Sequence, residues 1–429
     1  MPDALRRVAI VGSARIPFAR SNTAYINASN QDMLTAAFAA LVDKFGLRGE
    51  TLGEVAAGAV IKHSRDWNLA REAAQGAGLD PHTPAYDVQR ACGTSLTTAL
   101  QIAQRIDRDE IEVGIAGGVD TVSDAPIVYG RRLTRIVLDS ARGKTLGARL
   151  RPWLGFHPRD LRPSAPAVAE PRTGLSMGEH CELMAKEWAI PRIDQDALAY
   201  QSHLKAAAAW REGFYTDLVV PYAGLSTDNN VRGDTGPEKL AALKPVYDRS
   251  GNGTLTAGNS TPLTDGAACV LLASEAWTRS RGLEPQAWLT HSAVAAVDYA
   301  GLAGPREGLL MAPTYAVPMM LDRAGITLQD FDLYEIHEAF AAQVLCTLKA
   351  WESEDYCRTR LRRSAPLGAI DRAKLNPKGG SVALGHPFAA TGARIVGTLA
   401  QQLAQRGSGR GLISICTAGG MGVTAILER

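Results

Sequence analysis

An Ala-Gly-Gly core occurs twice in this chain, in Ile115-Ala116-Gly117-Gly118-Val119 and again far downstream in Thr417-Ala418-Gly419-Gly420-Met421. Each copy lies on an apolar run and follows a stretch of small residues suited to a helix, one beginning near Cys92 and the other near Ser381. A recurrence this short is by itself a weak repeat signal, although internal duplication, where it exists, decides the whole architecture. It fits a chain built from two similar α/β halves. Val8-Ala9-Ile10-Val11-Gly12 reads as a buried strand closed by a turn. Asp32 to Phe45 places Leu34, Ala37, Phe38 and Leu41 on one helical face. Val55 to Val60 and Val113 to Asp120 are further strand candidates.

At 429 residues the chain is long enough for two domains and a deep core. Its net charge of +2 offers no electrostatic argument for nucleic acid. The opening residues Met1 to Val8 lack the apolar core of a secretion signal. The uncharged stretch from Leu412 to Leu427 is broken by glycines and is shorter than the ~20 apolar residues that span a bilayer. These features predict a soluble protein. The six cysteines form no Cys-x-x-Cys pair and no Cys/His spacing suited to zinc, so no metal site is expected. That usage fits a reducing compartment. Cys181, Cys269, Cys346 and Cys357 read as small core or surface residues.

Three residues sit in sharply defined glycine-rich contexts. Cys92 lies in Gln-Arg-Ala-Cys-Gly-Thr-Ser-Leu, where an extended stretch runs into a helix start. His386 lies in Gly-Gly-Ser-Val-Ala-Leu-Gly-His-Pro-Phe-Ala-Ala-Thr-Gly, and Cys416 in Ile-Cys-Thr-Ala-Gly-Gly-Met-Gly. A cysteine at a helix N-terminus or beside a histidine is expected to have its pKa drawn below ~8.5, which makes a nucleophile. Imidazole titrates near working pH, and Gly385 and Pro387 set the backbone around His386 so that it can be aimed. Two tempting motifs fail. Gly143-Lys144-Thr145 ends like a phosphate-binding loop, but Leu138 stands where that loop needs glycine. Gly407 to Gly411 lacks the glycine spacing of a dinucleotide fingerprint.

With His337-Glu338-Ala339-Phe340, these blocks resemble the thiolases, which exchange acyl groups between a cysteine and coenzyme A, and the resemblance runs end to end. It implies the thiolase fold: two βαβαβαββ-type halves, each with a five-stranded mixed sheet, in an α/β/α/β/α core with an inserted loop domain. The N-terminal half would span residues 1–121 and be completed by about 263–284, including a strand over Ala267 to Leu272. Residues 122–262 would form the loop domain that covers the site and binds coenzyme A; they include Pro152, Pro158, Pro163, Pro166, Pro171 and a helix over Asp194 to Glu212. The C-terminal half would span 285–429.

The resemblance also assigns roles. Cys92 is the nucleophile, His386 takes its proton, and Cys416 exchanges the α-proton of the acetyl unit. The backbone N–H groups of Cys92 and Ala418 form one oxyanion hole. Many relatives have glycine at the position of Ala418, which matters only if φ must be positive there. His337 replaces the commoner Asn of a second oxyanion hole and resembles the β-subunits of fatty-acid-oxidation complexes; its tautomer and protonation state stay open. Met177, Arg232, Ser260, Thr261 and Phe340 match coenzyme A- and substrate-binding positions. Coenzyme A would be a co-substrate, with no permanently bound cofactor.

The implied reaction is cleavage of 3-ketoacyl-CoA by coenzyme A in fatty-acid β-oxidation. Alternatives are a condensing thiolase, a ketoacyl synthase with one cysteine and two histidines, or a non-catalytic lipid carrier. Cys416 in its Gly-Gly loop argues against the synthase, and retention of all four blocks against the carrier. The family implies a homo-oligomer, and a cytoplasmic location (the mitochondrial matrix in a eukaryote). From 131 to 162, Arg131, Arg132, Arg135, Arg142, Lys144, Arg149, Arg151, Arg159 and Arg162 face only Asp139 and Asp160. Leu133, Ile136, Val137, Leu146, Leu150, Trp153, Leu154 and Phe156 are interleaved with them. This stretch reads either as a docking element for a membrane surface or a hydratase/dehydrogenase subunit, or as a solvated helical lid.

Overall fold

The computed structural model describes residues 6–164 and 169–429; Pro166 and the first residues of the N-terminal half lie outside them. The strands that matter here are β1 (Val8–Arg15), β2 (Glu54–Ala57), β3 (Ala85–Asp87), β4 (Val113–Asp120), β5 (Thr264–Ser274), β6 (Ala287–Ala296), β7 (Leu333–Ile336), β8 (Arg410–Thr417) and β9 (Met421–Glu428). The main helices are α1 (Asn30–Lys44), α2 (Leu69–Gly76), α3 (Thr94–Asp107), α4 (Arg131–Arg142), α5 (Met177–Glu187), α6 (Arg192–Arg211), α7 (Pro313–Ala324), α8 (Ala341–Glu352) and α9 (Thr391–Arg406).

The strands pair in the order β7-β8-β9-β6-β1-β5-β4-β2-β3, one half on each side of a short β1–β6 seam (Val8 to Leu289, Ala9 to Trp288, Ile10 to Ala287). Both faces of these strands are covered, so β1 and β5 are buried throughout and read as continuous apolar runs. Alternate residues serve different layers. Val8 and Ile10 join the central core with Leu96, Ile102, Val396 and Leu399 of α3 and α9. Ala9 and Val11 face the outer core formed with Met33, Phe38 and Leu41 of α1 and Ala73 of α2. On the other half, Val317 and Met320 of α7 and Val344 and Leu348 of α8 cover Tyr334, Leu412 and Ile426. The result is five layers, α/β/α/β/α, with α3 and α9 in the middle.

The duplication predicted from the Ala-Gly-Gly echo exists, but not at the residues that suggested it. Gly117 and Gly118 lie inside β4, where an added Cβ would come within 2.8 Å of the Phe38 ring and 2.1 Å of the Ala389 carbonyl oxygen. Gly419 and Gly420 instead turn the β8–β9 hairpin at φ of 76° and 70°. One pair gives close packing and the other a left-handed turn. The helix expected near Ser381 begins there, but the partner of α3 in the central layer is α9. Ser381–Leu384 is a helix of only four residues, stopped by Gly385 at φ 106°. The second half also falls short of five strands among the described residues: where a fifth would lie beside β7, a single parallel bridge joins Tyr334 to Leu375.

β4 and β5 are antiparallel neighbours, from Val113 opposite Ala273 to Asp120 opposite Gly266. Everything between them therefore leaves the core and returns to it. That excursion is fastened by Asp228, whose carboxylate accepts from Arg15 at 2.6 and 2.7 Å, from Phe18 N at 2.7 Å and from Trp210 at 3.1 Å. Arg15 and Asp228 are both buried, so removing either would leave an unpaired charge.

Candidate active site

The chain reaches Cys92 through a strained turn. Ala91 has φ 42°, unusual for a residue with a Cβ. Thr94 holds the turn by donating to Ala91 O at 2.7 Å and accepting from Arg90 N at 2.9 Å. α3 then begins at Thr94, two residues after the thiol.

His386 arrives from the other half. Its N–H donates to Thr264 Oγ1 at 3.1 Å, its Nδ1 lies 2.6 Å from Thr391 Oγ1, and its Nε2 lies 3.1 Å from Cys92 Sγ. Phe388 packs edge-on against the ring at 5.3 Å between centroids. The two halves meet closely enough that glycine is required at Gly392, where a Cβ would sit 2.3 Å from Leu96 N. Asp120 locks the junction by accepting from Val60 N, Ile61 N and Ala389 N at 2.7 to 3.1 Å.

Cys416 is the last residue but one of β8 and is buried in a cluster with Met177, Tyr247 and Phe340. The hairpin after it is held by Glu170, which accepts from Gly419 N at 2.6 Å and from Tyr299 OH at 3.1 Å. Positive φ in this loop is confined to Gly419 and Gly420, so Ala418 bears no strain for its methyl. The N–H groups of Ala418 and of Cys92 itself both face the Cys92 sulfur. His337 follows β7, with its ring centroid 4.2 Å from that of His386 and its Nδ1 2.8 Å from Ser381 Oγ. Its Nε2 is buried and has no partner. Four residues far apart in sequence thus converge where the ends of β7, β8, α3 and α9 meet.

A cavity of about 370 Å³ is lined by Arg20, His203, Arg232, Lys239, Ser260 and Val382 among others, with none of Cys92, His337, His386 and Cys416 on its wall. Of the residues expected to hold coenzyme A, Arg232 and Ser260 are on its wall. Thr261 N donates to Ala339 O at 3.1 Å, and Ser260 pairs with Phe340 across an isolated bridge. Met177 and Phe340 belong instead to the apolar cluster around Cys416. The loop carrying Ser260 is fixed by Glu182, which accepts from Thr254 N and Leu255 N at 2.9 to 3.0 Å.

Family models agree with this geometry. "Thiolase, N-terminal domain" matches residues 8–276, and "Thiolase, C-terminal domain" matches 290–429. The chain belongs to the thiolase family. It is 44% identical to the "3-ketoacyl-CoA thiolase" of Pectobacterium atrosepticum over 98% of this chain and 96% of that protein. It is 43% identical to the one of Yersinia enterocolitica, covering 98% and 97%. Among solved structures it resembles the Bacillus anthracis acetyl-CoA acetyltransferase (TM-score 0.82, 29% identity, 99% of each chain) and human mitochondrial 3-ketoacyl-CoA thiolase (TM-score 0.80, 28% identity, 99% of each chain).

The electrostatics of this thiolase correct one expectation. Desolvation pushes the Cys92 thiol up to about 12, outweighing the opposing backbone N–H groups of Ala418 and Cys92, although the side chain keeps some exposure. Desolvation and the Arg394 charge bring His386 down to about 3. The resting pair is therefore neutral thiol and neutral imidazole, not thiolate and imidazolium, because neither charge has water to support it. Cys416 is likewise raised by burial, and His337 lowered by burial, His386 and Arg394. Cys92, His337 and His386 each place one ligand atom within 4.8 Å of the others, a spacing a metal ion could accept. The contact of thiol and imidazole accounts for it equally well.

The motif reading missed the residues that hold these groups in place. Glu338 was visible as part of a motif, but its role as a hub was not: it accepts from Ser202 Oγ at 2.7 Å, Asn376 Nδ2 at 2.6 Å and Val382 N at 3.2 Å. Asp120 and Glu170 carry no motif at all. A buried acid in a glycine-rich strand was the one signal available for Asp120. Of the core and surface places left open for Cys181, Cys269, Cys346 and Cys357, all four take the core.

Proposed function

We propose that this thiolase cleaves 3-ketoacyl-CoA with coenzyme A to acetyl-CoA and a shortened acyl-CoA. Cys92 passes its proton to His386 as its sulfur attacks the 3-keto carbon. The oxyanion is held by the N–H groups of Cys92 and Ala418, or by His337 in the hole it faces. The bond between C2 and C3 then breaks, and Cys416 protonates the departing carbanion to give acetyl-CoA. The thiol of coenzyme A attacks acyl-Cys92 and gives its proton to the Cys416 thiolate, and as the new acyl-CoA leaves, the Cys92 sulfur takes back its proton from His386. No permanently bound cofactor enters these steps. The observation that carries the reading is His386 Nε2 at 3.1 Å from Cys92 Sγ, with the Ala418 N–H of the Cys416 loop facing the same sulfur. The names of the relatives support the substrate.

Residues 122–262 act in this reading as the loop domain, and Arg232, Ser260, Thr261, Met177 and Phe340 guide coenzyme A and the acyl chain past it. Steady-state rates with 3-ketoacyl-CoAs of several lengths test the proposal. Turnover with none of them, in protein whose Cys92 is free and unmodified, would reject it.

Peripheral docking through residues 131–162 belongs to the same proposal, beside assembly as a homo-oligomer. α4 packs mainly on the turns that follow it within its own segment. Leu146 and Leu154 are 75% and 88% exposed among the basic residues. That supports contact with an anionic membrane or a hydratase/dehydrogenase subunit over a closed lid. No helix among the described residues is long and apolar enough to cross a membrane. Co-sedimentation with anionic liposomes and pull-down of such a subunit test it; failure in both leaves the lid.

A further inference from the structure

The two histidines of the site face different hydroxyl partners, and this sets their protons apart. Ser381 Oγ has two neighbours: His337 Nδ1 at 2.8 Å and Arg394 Nη2 at 2.6 Å. All three side chains are buried. Arginine has only donors to offer, so Ser381 must accept from Arg394. Its own hydrogen is then left for His337 Nδ1. If Nδ1 carried the hydrogen instead, the Ser381 hydroxyl would be buried with no acceptor, an arrangement proteins rarely tolerate. Arg394 is itself steered from behind by Glu335, at 3.9 Å, which Gln402 Nε2 holds at 2.8 Å.

We infer that Ser381, oriented by Arg394, is a positioning residue that fixes His337 in the tautomer with hydrogen on Nε2, so that the unpartnered Nε2 points an N–H into the active site. This deepens the proposed function and rests on it for its catalytic meaning. Beside it, His386 must present a bare Nε2 to take the Cys92 proton, and so keeps its hydrogen on Nδ1, toward Thr391 Oγ1 at 2.6 Å. Two imidazoles 4.2 Å apart are thus held in opposite tautomers, one as base and one as oxyanion donor. Burial, His386 and Arg394 all hold His337 neutral, as a tautomer requires. A histidine can in this way replace an amide N–H in the hole without becoming a competing base.

Long-range proton–nitrogen NMR on histidine-labelled, otherwise wild-type protein tests the tautomer directly and needs no turnover. The expected spectrum shows His337 protonated at Nε2 and His386 at Nδ1; a His337 ring protonated at Nδ1 overturns the inference even if the enzyme is an active thiolase. Kinetics supply the second arm. Ser381→Ala should lower kcat by ~10²-fold, the scale of losing one oxyanion-hole donor, while Ser381→Thr, which keeps the hydroxyl, restores most of it. In a His337→Asn background the amide donates whatever Ser381 does, so Ser381→Ala should cost less than about threefold, well below the usual loss of such a donor. Equal losses in both backgrounds would make Ser381 merely structural. Absence of thiolysis in the wild type alongside the expected spectrum would instead defeat the proposed function and leave the tautomer assignment intact.

Discussion

Around Cys92 and His386 most polar atoms have a partner inside the protein, whereas from Ile127 to Leu161 the chain turns cations and large apolar side chains to solvent together. Ile127 is 67% exposed, Leu150 58% and Leu161 54%. Asp139 pairs with Arg135 at 2.9 Å, and Asp160 lies 3.5 Å from Arg132. Arg142 also lies 3.8 Å from Asp139, and among the described residues the other basic side chains of the arm have no acid within the segment. The centre is organised for preorganised electrostatics, in which fixed dipoles replace water. The arm carries what a centre must avoid, an apolar surface without a fixed partner. The comparison teaches that the chemistry and the proposed docking would be carried by separate parts of the chain, so that each could be changed without the other.

The strongest way to break that separation is through the centre. Cys416→Ser should cut carbon–carbon cleavage by ~10²–10⁴-fold, the usual cost of a positioned acid or base. Steady-state thiolysis measures this, and arm-dependent liposome binding should not change. His337→Ala should lose ~10²–10³-fold as a missing hole donor, and His337→Asn much less. Equal collapse of both variants would assign His337 a proton-transfer role.

pH sharpens the same contrast. Because the folded pKa of Cys92 is raised and that of His386 lowered, raising the pH from 7 to 10 ionises more Cys92 without reaching its midpoint. Alkylation of Cys92 by iodoacetamide should therefore climb about tenfold per pH unit across that range, as thiolate reactivity requires. A fast rate, flat from pH 6 upward, would show a standing thiolate–imidazolium pair.

Gly392→Ala tests the packing between the halves. Its methyl would press on the backbone of Leu96 and should cost ~1–3 kcal/mol, read as a fall in the denaturation midpoint. The smallest catalytic effect belongs to the arm. Changing Arg131, Arg132 and Arg135 to Glu should leave kcat within about twofold, as for other surface changes. Liposome binding at low salt should weaken by ~1 kcal/mol for each basic residue lost.

What the sequence made legible follows the same division. The layered α/β core could be read because β1 and β5 are apolar on both faces and the helix periodicities were intact. Boundaries moved by a few residues: the helix expected over Asp32 to Phe45 runs Asn30–Lys44, and the one over Asp194 to Glu212 runs Arg192–Arg211. Cys92, His386, Cys416 and His337 could be found because each carries its own glycine-rich or acidic neighbours. Their charge state could not, since desolvation by distant segments overrides the local helix start. Nor could Ser381 and Arg394, which look like an ordinary serine and a helical arginine until the fold sets them against His337. The Ala-Gly-Gly echo was informative about duplication and misleading about register, because glycine answers to both close packing and left-handed turns.

The central claim, that acyl transfer runs through Cys92 while Cys416 serves the carbon–carbon step, is tested most directly by intact-protein and peptide mass spectrometry after brief mixing with an acyl-CoA. The account predicts one acyl group on the Cys92 peptide of the wild type and of Cys416→Ser, and none on Cys92→Ser. An acyl group on Cys416 in the wild type, or acylation surviving in Cys92→Ser, would contradict it.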